Sequence, residues 1–179
     1  MDSTKRYSTG NGICITCAGE TKLNLLRVEL GCSTGKKLPP PGSRAAELLS
    51  LVKDFFQGKS VSLPPEVLDL SPLSDFELKV LRTLHRQVPR GKVVAYATLA
   101  AMSGSPRAAR AVGGVMRKNL FPLFFPCHRV INSDGTIGGF MGEKDVGCSG
   151  PALKKQLLLN EGVGFLSSGK VAGENIIRL

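Results

Sequence analysis

Ser103-Gly104-Ser105-Pro106-Arg107-Ala108-Ala109-Arg110, continuing through Val112, Val115 and Arg117 to Lys118, decides how this chain of 179 residues folds. Gly104 supplies a turn, Ser105 suits a helix N-cap, and Pro106 suits the first helical position, where its missing N–H is no loss. The helix that follows is expected to reach about Lys118. Upstream, Val93 to Tyr96 leads into a short helix through Met102. Helix, glycine-containing turn and helix form the helix-turn-helix arrangement. The second helix divides by face: Arg107, Arg110, Gly114 and Arg117 recur at helical spacing on one side, Ala108, Val112 and Val115 on the other. Small residues among the arginines let its backbone approach whatever it docks on, which fits a nucleic acid better than solvent.

Outward from this motif, Ser74-Asp75-Phe76-Glu77 is a capping box opening a helix with Leu78, Leu81, Leu84 and Val88 inward. Pro89-Arg90-Gly91 ends it. Ser62 to Ser74, with Pro64, Pro65 and Pro72, reads as a linker. It divides the chain into a domain of residues 1–70 and a domain of residues 71–179. In the first, Ile13 to Leu30 carries short β-compatible runs, and Ser43 caps a helix to about Gln57 with Leu48, Val52, Phe55 and Phe56 on one face. The expected fold class is α/β: a small N-terminal α/β domain followed by a mainly helical C-terminal domain of helix-turn-helix, winged-helix-like type.

The composition, 42% hydrophobic and 21% charged, is that of a globular protein, and no apolar run approaches the roughly 18 residues of a membrane span. Met1 to Gly19 lacks the pattern of a signal peptide. An intracellular setting without a membrane partner is expected, the nucleus in a eukaryote or the cytoplasm in a prokaryote. The net charge of +10 is unevenly spread: nine Lys/Arg face seven Asp/Glu in residues 1–72, fifteen face seven in residues 73–179. Excess confined to one half points to a polyanion-binding surface there. The five cysteines, at 14, 17, 32, 127 and 148, read as thiols. Cys14-Ile-Thr-Cys17 has the spacing of half a zinc or redox site. A strand through 12–18 would turn the pair to opposite faces, and no fourth ligand is evident, so neither a metal nor another cofactor is expected.

Pro126-Cys127-His128-Arg129-Val130 carries the chemistry. Phe121 to Pro126 is apolar, Arg129 to Ile131 reads as a strand, and Asn132-Ser133-Asp134-Gly135 as its closing turn. A buried cysteine is normally inert, since burial disfavours the thiolate. To act as a nucleophile it needs a base, which His128 supplies, and the base needs an orienting acceptor. Glu161 is the candidate, past a helix from Pro151 to Asn160 with Leu153 and Leu157 inward. An acid there opposes the helix dipole, as functional residues often do.

Val93-Val94-Ala95-Tyr96, Arg107 to Gly114, Met116-Arg117-Lys118-Asn119 and Pro126 to Val130 together resemble the O6-alkylguanine-DNA alkyltransferases, in order, from about Phe76 to Gly162. The resemblance implies DNA repair by direct reversal: O6-alkylguanine is flipped from double-stranded DNA through the minor groove, and its alkyl group passes irreversibly to Cys127, once per molecule, with the protein acting as a monomer. It implies His128 as base, Glu161 as its support, Asn119 as the hinge between helix-turn-helix and active segment, and Tyr96 as both phosphate rotator and hydrogen-bond donor to the leaving purine. Arg110 would fill the vacated base stack. Ala108, Ala109, Gly113 and Arg117 would lie along the groove, with Ser105 and Ser133 on phosphates. Val130, Gly138, Phe140 and Met141 would line the base pocket.

Phe140 stands where the family usually has tyrosine, Met141 where a small or polar residue is frequent, and Glu143 to Gly150 is extra sequence. Glu77 replaces a neutral polar residue near phosphate. His85, on the apolar side of its helix, reads as a packed residue rather than a ligand. The rival readings are an alkyltransferase-like protein that binds damage without transfer, disfavoured by the presence of Cys127, a cysteine hydrolase, which leaves Arg110 and Tyr96 unexplained, and a plain transcription regulator, which leaves the cysteine unexplained.

Overall fold

A computed structural model describes residues 4–8, 12–18, 24–32, 37–59, 67–140 and 149–179. It divides the chain into two compact units, Met1–Pro72 with Leu120–Phe124, and Leu73–Asn119 with Phe125–Leu179. Residues 120–124, expected with the second domain, therefore group with the first.

The first unit is an antiparallel sheet of β1 (Lys5–Ser8), β2 (Gly12–Ala18) and β3 (Asn24–Cys32) in the order β1-β2-β3, with α1 (Arg44–Phe56) against β2. Ser43 caps α1, its hydroxyl accepting the Ala46 N–H at 3.3 Å. The helix buries Ala45, Leu48, Leu49 and Val52, whereas Phe55 and Phe56 are only half-buried. A register shift lies between Thr16, which faces Arg27, and Cys17, which faces Leu25. There β3 advances two residues to one of β2, so the extra residue is in β3. Cys14 and Cys17 are both buried, as are Ile13 and Ile15, so both faces of β2 are covered. Cys14 is disulfide-bonded, correcting the reading of every cysteine as a thiol, while Cys17 and Cys127 are free. Packing, not an odd count, decides which sulfurs meet. The Leu120 carbonyl accepts the N–H of Val28 at 2.9 Å, and Phe121, Leu123 and Phe124 are buried.

The second unit opens with α2 (Asp75–Gln87), started by the capping box: Ser74 accepts from the Glu77 N–H, and the Glu77 carboxylate accepts from the Ser74 N–H at 2.9 Å. Those Ser74 hydrogen bonds hold the Glu77 carboxyl below its usual range. Val80, Leu81 and Leu84 face inward; Leu78, expected there, is half-buried. Then come β4 (Val93–Ala95) and α3 (Tyr96–Met102). Gly104, at φ 73°, closes α3: its N–H donates to Ala101 O and the Ser105 N–H to Ala100 O, the paired bonds of a Schellman ending.

Ser105 does not cap the next helix, because its own carbonyl accepts the Ala108 N–H at 2.9 Å and closes a turn over Pro106 and Arg107. Helix α4 (Ala109–Lys118) begins three residues after the expected start, with Val112, Val115 and Met116 buried. Cys127–Arg129 is a 3-10 turn, not the start of a strand, and β5 is only Val130–Ile131. Helix α5 (Ser149–Asn160) follows, and β6 (Ile176–Ile177), in a stretch the sequence left unread, completes a small parallel sheet in the order β5-β4-β6. Val93, Ile131, Leu158, Val163 and Val171 form the core beneath it.

Candidate active site and nucleic-acid interface

Cys127 opens its 3-10 turn with the backbone N–H donated to Phe125 O at 2.7 Å and 6% of its surface exposed. Burial pushes its thiol pKa up; a hydrogen bond from Asn119 and the charge of Lys154 pull the other way. Asn119, the residue that ends α4, also donates its amide to Phe125 O at 2.8 Å. Asn119 thus touches both the sulfur and the backbone two residues before it.

His128 is fully buried, its Nε2 2.9 Å from Oε1 of Glu161. Burial lowers the imidazole pKa and outweighs Glu161, so the ring rests neutral. Glu161 is the residue that ends α5. The N–H groups of Gly162 and Val163 donate to Leu159 O and Leu158 O, and Gly162 takes φ 84°, which holds the carboxylate where the helix stops. Burial alone would raise its pKa. Hydrogen bonds from His128 and Arg129, with their charges, overcome this and hold it at about 2. Arg129 supplies the permanent charge: Nε donates to Oε2 at 2.8 Å, Nη2 to Oε1 at 2.7 Å and Nη1 to the Val88 carbonyl at 2.8 Å. An ionised carboxylate can only accept hydrogen bonds. Nε2 of His128 therefore carries the proton, and Nδ1 is left with the lone pair that can take one.

Two members of this array escaped the sequence reading. Arg129, expected in a strand, lies in the 3-10 turn. Lys154 is almost fully buried in α5, where Leu153 was expected inward, and its Nζ donates to Val130 O and Ile137 O at 2.6 Å each and to Gly139 O at 3.4 Å. Burial lowers its pKa to about 8, with Cys127 opposing. One ammonium thus joins the strand after the cysteine to the glycine-rich loop. The available signal was Lys154 standing three residues before the inward Leu157, where an amphipathic helix repeats its apolar face.

Tyr96 begins α3, its phenol raised by burial and by the charge of Cys127. Arg110 and Arg117 are exposed on α4, and Arg107 is exposed in the preceding turn rather than in the helix. Ala108, Ala109 and Gly113 are half-buried, and a Cβ on Gly113 would meet nothing within 4 Å. Ser105 is half-buried and Ser133 exposed. Val130 and Phe140 are buried; Gly138 takes φ 66° under the Asn132 amide. Met141 and most of the Glu143–Gly150 insertion lie outside the described residues. His85 is exposed, its ring edge-on to Phe125 with centroids 6.3 Å apart. Among the described residues no three His, Cys, Asp or Glu side chains are grouped to hold a metal ion, and no helix is long and apolar enough to cross a membrane.

A buried Cys–His–Glu–Arg array built behind a helix-turn-helix defines a class, a helix-turn-helix scaffold with a cysteine, a histidine and a carboxylate at its site. Residues 75–163 match the family described as 6-O-methylguanine DNA methyltransferase, DNA binding domain, and that stretch of the chain belongs to it. It is 48% identical over 88 residues to the methylated-DNA–protein-cysteine methyltransferase of Rattus norvegicus, covering 49% of this chain and 39% of that protein. It is 39% identical over 124 residues to the protein of that name from Methanothermobacter thermautotrophicus, covering 69% and 64%. The chain thus spans about two fifths of the rodent relative's length. Mycobacterium tuberculosis OGT, solved in complex with DNA, superposes with a TM-score of 0.59 at 28% identity over 83% of this chain and 86% of that one, and shares the two-domain α/β fold.

Proposed function

We propose that this chain repairs O6-alkylguanine in double-stranded DNA by moving the alkyl group onto Cys127, once per molecule. The observation that carries the reading is the relay behind the sulfur, in which Glu161, kept ionised by Arg129, fixes the His128 tautomer that can accept a thiol proton. His128 takes that proton. The sulfur then forms a bond to the alkyl carbon as the carbon–oxygen bond breaks, and the electron pair leaves with guanine. A Tyr96 hydroxyl beside the departing purine donates a hydrogen bond to the charge developing there. Guanine regains a proton from solvent, and His128 returns the thiol's proton to solvent, so the balance closes. The product is a thioether that no group in this site can hydrolyse, so the protein is consumed. Nothing in these steps calls on a metal or organic cofactor.

The lesion carbon faces the duplex interior, so the base must leave the stack, at a cost of a few kcal/mol. Arg110, filling the gap, offsets part of that, and Ala108, Ala109 and Gly113 allow α4 to approach the minor groove, with Arg117, Ser105 and Ser133 toward phosphates. Asn119 keeps α4 and the cysteine segment in register, and Val130, Gly138, Phe140 and Met141 enclose the base. The protein acts as a monomer, inside the cell.

The test is incubation with duplex DNA carrying labelled O6-methylguanine. Label should reach the protein in equimolar amount and be absent from Cys127→Ala. Continued turnover removes the single-use claim. Tight binding of damaged duplex with no transfer by the unaltered protein would leave a damage-binding protein instead.

A further inference from the structure

The exposed face of α2 has no part in the site described above, yet it carries a row of cations. Lys79, Arg82 and Arg86 are all exposed and fall at i, i+3 and i+7, on one side of the helix. Val80, Leu81 and Leu84 occupy the opposite, buried side. A cleft of about 310 Å³ is lined by Asp75, Leu78, Lys79, Arg82, Thr83 and Arg86. Among the described residues none of the three cations has an ion-pair or side-chain hydrogen-bond partner. Arg82 and Arg86 stand one helical turn apart, an arrangement of like charges that destabilises a helix by itself. A merely solvated face would interleave acids, and the one acid on this stripe, Asp75, lies at its N-terminal end.

The row also has a direction. The Lys79 ammonium reaches the turn between α3 and α4 so closely that a Cβ on Gly104 would stand 3.1 Å from its nitrogen. Ser105, next to that glycine, is a phosphate contact in the function proposed above. From there the cations continue along α2, which packs against both α3 and α4. Seven residues of helix place Arg86 roughly 10 Å from Lys79 along the axis.

We infer that the Lys79–Arg82–Arg86 face is a second phosphate-backbone contact, holding the duplex beyond the segment lying against α4. The inference rests on the reading of this chain as a duplex-DNA protein. Its contribution is independent of base sequence and of the lesion, since cations on phosphate position a duplex without reading it.

Each phosphate contact releases counterions and steepens the salt dependence of binding, with log K falling by about 0.9 per contact for each tenfold rise in salt. The experiment is to measure the affinity for an undamaged duplex across a salt series, using the full chain and the variant Lys79→Gln/Arg82→Gln/Arg86→Gln. The slope should become shallower by about 2 to 3 in the triple variant and by about 1 in Arg86→Gln alone. A control variant, Arg44→Gln/Lys53→Gln/Lys59→Gln, removes the same net charge from the first unit and should leave the slope in place. Equal changes in both triple variants would assign the effect to net charge and overturn the inference, as would an unchanged slope in the α2 variants. Absence of salt-dependent duplex binding by the unaltered chain would instead remove the proposed function itself. The single variant keeps the comparison open should the triple variant fold poorly.

Discussion

Three donors converge on the two oxygens of Glu161: His128 Nε2, Arg129 Nε and Arg129 Nη2. The carboxyl's pKa falls from an ordinary 4.5 to about 2. A depressed folded pKa means stability that is complete above the unfolded value and is lost as pH falls toward the folded one. The loss belongs between about pH 5 and pH 2 and amounts to about 3 kcal/mol, the equivalent of that shift. Glu161→Gln should forfeit a similar amount at neutral pH, leaving Arg129 buried with a neutral partner, and should flatten the acid limb of the stability profile; denaturant unfolding across that range measures both. Transfer to Cys127 should fall by up to about 10⁴-fold, the cost of losing the carboxylate that orients a general-base histidine. Lys154 permits a separate test. Lys154→Met keeps the chain length but leaves the Val130 and Ile137 carbonyls without their donor and removes the cation that favours the thiolate. The pH profile of Cys127 alkylation by iodoacetamide should move to higher pH, and an unmoved profile would show that the two charges are uncoupled. At this scale the demand of a nucleophile for a base and an orienter pointed to Glu161 as partner of His128, and the fold brings the two to 2.9 Å. The sequence hid Arg129 and Lys154, since residue type alone reads both as surface, and only the folded chain supplies the carbonyls and carboxylate that permit their burial.

Helix α4 sets two demands against each other at Gly113. A glycine inside a helix is less stable than alanine by about 0.5–1 kcal/mol, and a Cβ at this position would meet no protein atom within 4 Å. Gly113→Ala should therefore raise the unfolding midpoint. If the helix backbone lies against a DNA strand, the same methyl should weaken duplex binding, so stability and affinity move in opposite directions; a parallel rise in both would place the duplex elsewhere. Ser74→Ala is the counterpart without a binding role. Loss of the hydroxyl that caps α2 should cost about 1 kcal/mol in chemical unfolding. The legible elements were those with end signals in the chain itself, the Ser74–Glu77 box and the Ser43 cap. The start of α4 was not legible. Pro106 fits the first turn of a helix and a reverse turn equally well, and the choice was made by the Ser105 carbonyl bonding Ala108. Strands β5 and β6, two residues each, are too short for any periodicity and exist because β4 lies between them.

Chain order would make residues 73–179 an independent module, with everything before them as support. The packing does not follow that order. Leu120–Phe124 belongs to the first unit, although it lies between α4 and the cysteine turn of the second. Phe121 is fully buried, Leu123 and Phe124 nearly so, and the Leu120 carbonyl is bonded to β3. The run from Phe121 to Pro126 was legible as apolar, but so short a run carries no information on which core receives it. A fragment of residues 73–179 would expose these side chains, each worth about 1.5–3 kcal/mol when buried. It should unfold at lower denaturant than the same unit in the full chain, and should expose apolar surface in native buffer. The confirming substitution lies in the intact protein. Phe121→Ala should cost about 3–5 kcal/mol by leaving a cavity in the first unit, and it should slow alkyl transfer per folded molecule, because the chain runs from Phe121 directly into the turn that carries Cys127. Loss of stability with an unaltered rate per folded molecule would reduce the first unit to a passive anchor.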